Sequence, residues 1–403
     1  MNCWKPADRI QKLPTYLFAA IDKMKSDAVK AGRSVIDLGI GDPDLPTPNE
    51  VIESLYTAAK NPINHRYPSY SGMGILRVAI ADWYKRRFGV VLDPDSEVLP
   101  LIGSKEGIAH IPLAFINQGD VVLFSDPGYP VYNASTILAG GIPCSMPLLK
   151  ENNFLPIFEN IDKNLLHKAK LMFVNYPNNP TSQVAPESFY KNLINFAEKH
   201  RILVCHDAAY SEIAYDGYRP LSFLQIKGAK EVGIEFHSLS KTYNMTGWRI
   251  GFVVGNREAI ALLGKVKTNI DSGIFQAVQH AGITALNLDP QIIEKNNKIY
   301  QERRDILALG LNKLGWEVEK PKATFYMWMS IPNGYSSLDF SRMLLEKADI
   351  VCTPGIGFGT YGEGYIRFAL TVDKEIMKKV IERLNNLNLS KQNVKNYLSG
   401  AGI

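Results

Sequence analysis

The stretch His237-Ser238-Leu239-Ser240-Lys241-Thr242-Tyr243-Asn244-Met245-Thr246-Gly247-Trp248-Arg249 decides how this chain is read. A β-like run, Val232-Gly233-Ile234-Glu235-Phe236, leads into it, and a second apolar run, Ile250-Gly251-Phe252-Val253-Val254-Gly255, leaves it. Lys241 is therefore expected on a loop at the end of a buried strand, where a rigid sheet positions side chains for chemistry. A lysine held there loses its proton more readily and becomes a nucleophilic amine. Ser238, Ser240 and Arg249 beside it are hydroxyls and a cation able to hold a phosphate. Taken alone, Lys241 also reads as a solvated surface charge, because lysine is seldom buried. The other strand ends decide between the two.

Outward from this loop, strands and helices alternate. Apolar runs at 98–102, 121–124, 171–174 and 202–205 are each followed by an unusual turn. The turns are Gly103-Ser104-Lys105-Glu106-Gly107, Asp126-Pro127-Gly128-Tyr129-Pro130, Asn175-Tyr176-Pro177-Asn178-Asn179-Pro180-Thr181 and His206-Asp207-Ala208-Ala209-Tyr210. This pattern predicts an α/β fold with a mostly parallel central sheet covered on both faces. Ligands of such sheets bind beyond the carboxyl ends of the strands, where all of these turns fall.

On the amino-terminal side an irregular arm (1–16) precedes a helix over 17–31 that stops at Gly32. A strand and turn follow at 35–44, then helices at 48–60 and 75–88 around an irregular 66–72. After 255 the texture changes to helices at 256–267 and 273–287 and one long helix from 290 to 314. Short strands at 316–319 and 325–329, a helix near 338–348, a strand at 365–370 and a last helix from 373 make a smaller α+β unit. The expected domains are an arm and helix (1–44) packing with the small domain, a large domain (45–288) and a small carboxyl-terminal domain (289–403).

A length of 403 residues suits two domains, and 46% hydrophobic with 21% charged residues is the balance of a soluble globular protein. The net charge of +5 is spread along the chain. Its densest clusters, Lys85-Arg86-Arg87 and Arg303-Arg304, are expected as solvated helix faces, so no nucleic acid partner is expected. The four cysteines form no Cys-x-x-Cys pair, which speaks against a disulfide framework or a zinc site. No metal is expected. No apolar signal core and no long apolar run occur, so no membrane partner and a cytoplasmic location are expected.

The turns meet the needs of an aldehyde cofactor such as pyridoxal 5′-phosphate, which carries the electron sink while the protein holds and tunes it. Asp207 is the carboxylate for the pyridine nitrogen. Tyr210 and Asn179 can reach the phenolic oxygen. The helix start at Ser104 and Lys105, with Ser238, Ser240 and Arg249, suits the phosphate. Tyr129 offers a face for stacking. Singly, Asp207 and Ser104 also read as helix caps, Asn179-Pro180 as a plain turn, Tyr129 and Tyr210 as half-buried aromatics and Arg249 as a surface ion pair. One ligand accounts for all of them together.

At these residues the chain resembles the class I/II aminotransferases, pyridoxal-phosphate enzymes of fold type I. The matches are Asn179-Pro180-Thr181, Asp207-Ala208-Ala209-Tyr210, Ser238-Leu239-Ser240-Lys241 with Arg249, and Arg367. They come in the family's order and span nearly the whole chain. Ser182 departs from the family's usual glycine after Asn-Pro-Thr. The resemblance implies that Lys241 forms an imine with the cofactor and then shuttles a proton, with Asp207 and Tyr210 in support. It implies that Arg367 grips the substrate α-carboxylate, with Gly41, Tyr129 and Asn179 beside it. Tyr67, or alternatively Tyr70, resembles a tyrosine reaching the partner subunit's phosphate, which implies a homodimer with shared sites. Asn269 and Ser272 lie where relatives contribute a residue across that interface.

A finer resemblance rests on Leu13-Pro14-Thr15-Tyr16-Leu17-Phe18, Gly39-Ile40-Gly41-Asp42-Pro43-Asp44, Tyr67-Pro68-Ser69-Tyr70-Ser71-Gly72 and the turns at 103–107 and 126–130. It is to the subgroup that exchanges an amino group between LL-diaminopimelate and 2-oxoglutarate in lysine synthesis, and it adds Tyr16 to the substrate site. Aminotransferases for alanine, aspartate or aromatic amino acids share these stretches. A carbon–sulfur β-lyase would use the same lysine and aspartate. A non-catalytic regulator binding the same cofactor would need an added DNA-binding domain, for which the short segment before the first helix leaves no room.

Overall fold

The computed structural model describes residues 4–14 and 18–387. Its largest sheet has seven strands in the spatial order 98–101, 251–255, 233–238, 203–207, 169–175, 121–126 and 142–147. Gly251–Gly255 runs antiparallel to both of its neighbours, and the other pairings are parallel. Side chains alternate between the two faces, as the two-residue strand period requires. Met172 and Val174 join a core with Ile80, Trp83, Leu193 and Ala281, whereas Leu171 and Phe173 join one with Ile108, Ile111, Tyr132 and Leu263. Helices therefore cover both faces, which is why the strands read as continuous apolar runs.

A second, three-stranded antiparallel sheet orders 353–354, 365–369 and 326–330. The helices Gln291–Lys313, Ser337–Ala348 and Lys374–Asn386 pack with it around Leu311, Phe340, Leu344, Phe368 and Met377. The amino-terminal segment belongs beside this core. Ile36–Asp37 pairs with Ile350–Val351, and Ala28 packs on Leu345 and Val351. No helix among the described residues is long and apolar enough to cross a membrane.

Three expectations from sequence are corrected. Residues 316–319 are not a strand. The Asn312 side chain takes both backbone groups of Val318, donating to its carbonyl at 2.9 Å and accepting from its N–H at 3.1 Å, so no partner strand is needed. The arm contains one helical turn, Asp8–Gln11. Arg303 and Arg304 are buried rather than solvated. Arg303 grips Asp44 through two nitrogens at 2.7 Å each, tying the long helix to the turn after Gly41, and Arg304 meets Asp216 at 2.7 Å and Asp305 at 2.8 Å. A charge can be buried when it is paired and hydrogen-bonded in this way.

Beneath the strand ends lies a buried polar cluster. The Glu235 carboxylate accepts from Tyr84 and Ser222 hydroxyls at 2.7 Å and from the Phe223 N–H at 2.8 Å. His206 Nδ1 and His237 Nε2 face it at 2.8 and 3.0 Å. Burial alone raises its proton affinity, but the bonds from the two histidines outweigh this and hold the carboxyl below the usual carboxylate range. These histidines precede Asp207 and Ser238, so the cluster fixes two strand ends at once. Replacing Glu235 by alanine orphans several buried donors. The substitution is expected to cost about 3–5 kcal/mol, read as a lowered denaturant midpoint.

Candidate active site

A cavity of about 440 Å³ opens where the carboxyl ends of the large sheet face the three-stranded sheet. Lys241, Asp207, Tyr210, Asn179, Tyr129 and Arg367 line it, together with Ser104, Lys105, Ser238 and Gly41. A larger cavity of about 910 Å³ lies by Trp83 and Tyr243 and contains none of these groups. The smaller one is the candidate site because an amine, a buried carboxylate and an arginine converge there.

Lys241 sits in a single helical turn, Leu239–Thr242, rather than on an open loop. Ser238 ends the strand and caps this turn, its hydroxyl accepting from the Ser240 N–H at 3.2 Å. Lys241 Nζ donates to the Gly41 carbonyl at 3.1 Å. Burial depresses its pKa, Asp42 opposes the shift, and Arg249 and Arg367 add to it, leaving a value of about 8 in place of 10.5.

Asp207 ends its strand as expected but caps no helix. Its Oδ2 accepts from the Tyr132 hydroxyl at 2.8 Å and its Oδ1 from the Ala209 N–H at 3.3 Å. Burial pushes its carboxyl up. Tyr132 is held by stacking on Phe173, with centroids 4.9 Å apart. Asn175 braces the two strand ends, donating to the Asp207 carbonyl and accepting from the Asn179 N–H, both at 2.7 Å.

The other wall comes from the smaller sheet. Arg367 donates to Asn179 Oδ1 at 2.7 Å and to the Gly39 carbonyl at 2.8 Å. Its guanidinium lies against the rings of Tyr326 and Phe358, at 4.0 and 4.7 Å. The Tyr210 hydroxyl meets the Tyr326 hydroxyl at 2.9 Å and Asn179 Nδ2 at 3.5 Å. Gly41 is glycine for lack of space, since a Cβ there would stand 2.0 Å from the Tyr326 hydroxyl. Ser182 takes a left-handed φ of 60°. Its hydroxyl bonds to Thr324 Oγ1 at 2.7 Å and donates to the Tyr326 carbonyl at 2.8 Å, so the altered turn is stitched to the smaller sheet.

Groups of the kind that suit an anion gather at the edge of the cavity. Gly103, with φ of 73°, turns the chain into the helix Ser104–Phe115, and no side chain caps that start. The Arg249 guanidinium lies against Gly103, where a Cβ would meet its Nη2 at 2.2 Å. Ser240 Oγ is buried without a hydrogen-bond partner among the described residues. Neither Ser240 nor Arg249 is in the cavity lining itself, and Arg249 is exposed. Tyr129 stands edge-on to Tyr132 at 5.9 Å, with the Lys105 ammonium 6.0 Å from its ring centroid. Nearby Glu106, His110 and Asp271 could ligate a cation, but the Lys267 ammonium already holds Asp271 at 2.8 Å and Glu106 at 3.3 Å.

Some expected residues stand apart. Tyr67 is 88% exposed and Tyr70 is 49% exposed, both outside the cavity of their own chain. Asn269 and Ser272 are likewise outside it. Tyr16 lies outside the described residues. Tyr132, Asn175, Tyr326 and Phe358 were not among the residues assigned to the site from sequence. Asn175 opens one of the unusual turns, which was a usable signal, whereas Tyr326 arrives from a different sheet.

The depressed Lys241 pKa has a direct readout. A small aldehyde trapped on Lys241 by borohydride is expected to gain rate as pH rises through about 8, not 10.5, because only the neutral amine reacts. Peptide mass spectrometry of the trapped adduct against pH measures it.

The chain is similar to known proteins over nearly its whole length. The family model for aminotransferase class I and II matches residues 33–384. The LL-diaminopimelate aminotransferase of Halothermothrix orenii is 57% identical over 383 residues, covering 95% of this chain and 98% of that protein. That of Syntrophobacter fumaroxidans is 58% identical, with the same coverage. The solved apo-BacF structure from Bacillus subtilis superposes with a TM-score of 0.92 at 42% identity, over 96% of this chain and 99% of that one. With its mostly parallel central sheet, its strand-end lysine and these full-length similarities, the chain belongs to the class I and II aminotransferases.

Proposed function

We propose that this aminotransferase moves an amino group between LL-diaminopimelate and 2-oxoglutarate, using pyridoxal 5′-phosphate. The observation that carries the substrate is the full-length identity of 54–58% to relatives named for it. The residues present fit the cofactor. A hydroxyl without a partner at Ser240, an uncapped helix start at Ser104 and the Arg249 guanidinium suit a phosphate. Asp207, a carboxylate kept in burial, suits a protonated ring nitrogen. Tyr129 would face the ring, and Tyr210 and Asn179 would meet its phenolic oxygen. Lys105 contributes its backbone at the phosphate end.

When bound, pyridoxal phosphate supplies an aldehyde for amines and a ring that takes up the charge released at the substrate Cα. Lys241 would anchor it through Nζ. Once displaced, that amine takes the proton from the substrate Cα, and its pKa of about 8 puts it near the working range of a general base. Arg367 presents a fork for the α-carboxylate, already oriented by Asn179 and Gly39. Gly41, whose missing side chain admits the Tyr326 hydroxyl, would meet the substrate through its backbone, and Tyr16 would join it as the resemblance implies. We also infer a homodimer in which Tyr67 reaches the partner's phosphate. The exposure of Tyr67, and of the apolar Ile63 and Phe275 at 60% and 42%, the latter with its ring 5.7 Å from His65, supports it.

Purified protein with pyridoxal phosphate is expected to turn yellow and to form glutamate from LL-diaminopimelate and 2-oxoglutarate. Activity confined to alanine, aspartate or aromatic donors would sink the substrate assignment, and pyruvate released from cystathionine without an oxo acid would mark a lyase. Lys241→Ala should lose the yellow band while keeping its circular dichroism. Arg367→Ala should lower kcat/KM by about 100-fold for donor and acceptor alike, as for loss of one member of a buried charged pair.

A further inference from the structure

We infer that Asp22 reads the distal ammonium of the substrate, and so sets the preference for a donor with an amino group at each end. This rests on the substrate class proposed above. Three carboxylates line the cavity, those of Asp22, Asp37 and Asp207. Asp207 is bound to Tyr132 and reserved for the ring nitrogen. Asp37 is engaged twice, by the Gly39 N–H at 2.8 Å and by the Lys25 ammonium. Asp22 has no hydrogen bond or ion pair among the described residues.

Its place on the helix Phe18–Lys30 makes this informative. Residues three apart share a helix face, so Asp22 and Lys25 point the same way and would be natural partners. Lys25 instead turns to Asp37, which leaves Asp22, an exposed residue, as the uncommitted carboxylate of the three in the cavity lining. A substrate held by Arg367 that displaces Lys241 uses one carboxylate and one amine. What remains of a diamino diacid is a second ammonium and a second carboxylate. An ammonium that meets Asp22 trades water for a charge-assisted bond, whereas a donor lacking that amine gains nothing.

The test compares LL-diaminopimelate with L-2-aminopimelate, the same chain without the distal amine, in the pyridoxal-phosphate-loaded protein. For the unaltered enzyme the ratio of kcat/KM values should favour LL-diaminopimelate. In Asp22→Asn that ratio should fall about twofold to fivefold, the range of an exposed charge pair, and Asp22→Glu should restore part of it. Substrate-induced change in the cofactor absorbance, titrated with each ligand, gives the same comparison without turnover. An active enzyme whose ratio is unchanged in Asp22→Asn overturns the role of Asp22 and leaves the proposed function standing. An unaltered enzyme that binds and converts only donors without a distal amine overturns both.

Discussion

The Arg367 guanidinium joins the two sheets. It rises from the smaller sheet, donates to Asn179 at a strand end of the larger one, and donates again to Gly39 in the amino-terminal segment. Three parts of the chain far apart in sequence meet on one cation. Among the described residues it meets two carbonyl oxygens, the Thr353 hydroxyl and two aromatic rings and makes no ion pair with a carboxylate. A buried cation held by neutral partners keeps much of its attraction for an anion. The docking of the sheets and the carboxylate capture proposed for Arg367 thus rest on one arrangement, not two.

The same crowding of charge tunes the amine. Arg249 and Arg367 both disfavour a protonated Lys241, and burial does so more strongly. At the neighbouring strand end burial moves Asp207 the other way. The amine gives up its proton more easily, and the buried carboxylate gains from any cation placed beside it. Glu235 supports this from below, because its histidine partners adjoin Asp207 and Ser238 at the two strand ends. The low-dielectric floor is polar but satisfied, so it fixes position without competing for the ligand.

Asp207, Lys241, Asn179 and Tyr129 were legible in the sequence because each follows a buried strand, where an apolar run stops and polar residues begin. The parallel sheet was legible for the same reason. Tyr132 was not, since one position on a helix face decides whether it points at Asp207. Tyr326 and Phe358 were not, because they reach the cavity only when the second sheet docks. Arg303 and Arg304 looked like a solvated pair because Asp44 and Asp216 are distant in sequence. The stretch 316–319 has a strand's alternation, but a side-chain amide from the preceding helix satisfies its backbone. Tyr67, Asn269 and Ser272 were taken from a resemblance to a two-chain site, and their own chain keeps them outside its cavity.

Ser182 narrows what evolution can write at the joint between the sheets. Its left-handed backbone costs a non-glycine residue about 1–2 kcal/mol, which glycine would escape. Yet glycine, like alanine, would abandon the bonds to Thr324 and Tyr326. Threonine would keep a hydroxyl, but its branched Cβ fits this backbone badly. Serine here exchanges the backbone freedom of the family's usual glycine for two bonds across the joint, and losing them would register first as slack between the two halves of the cavity rather than as a change in its chemistry.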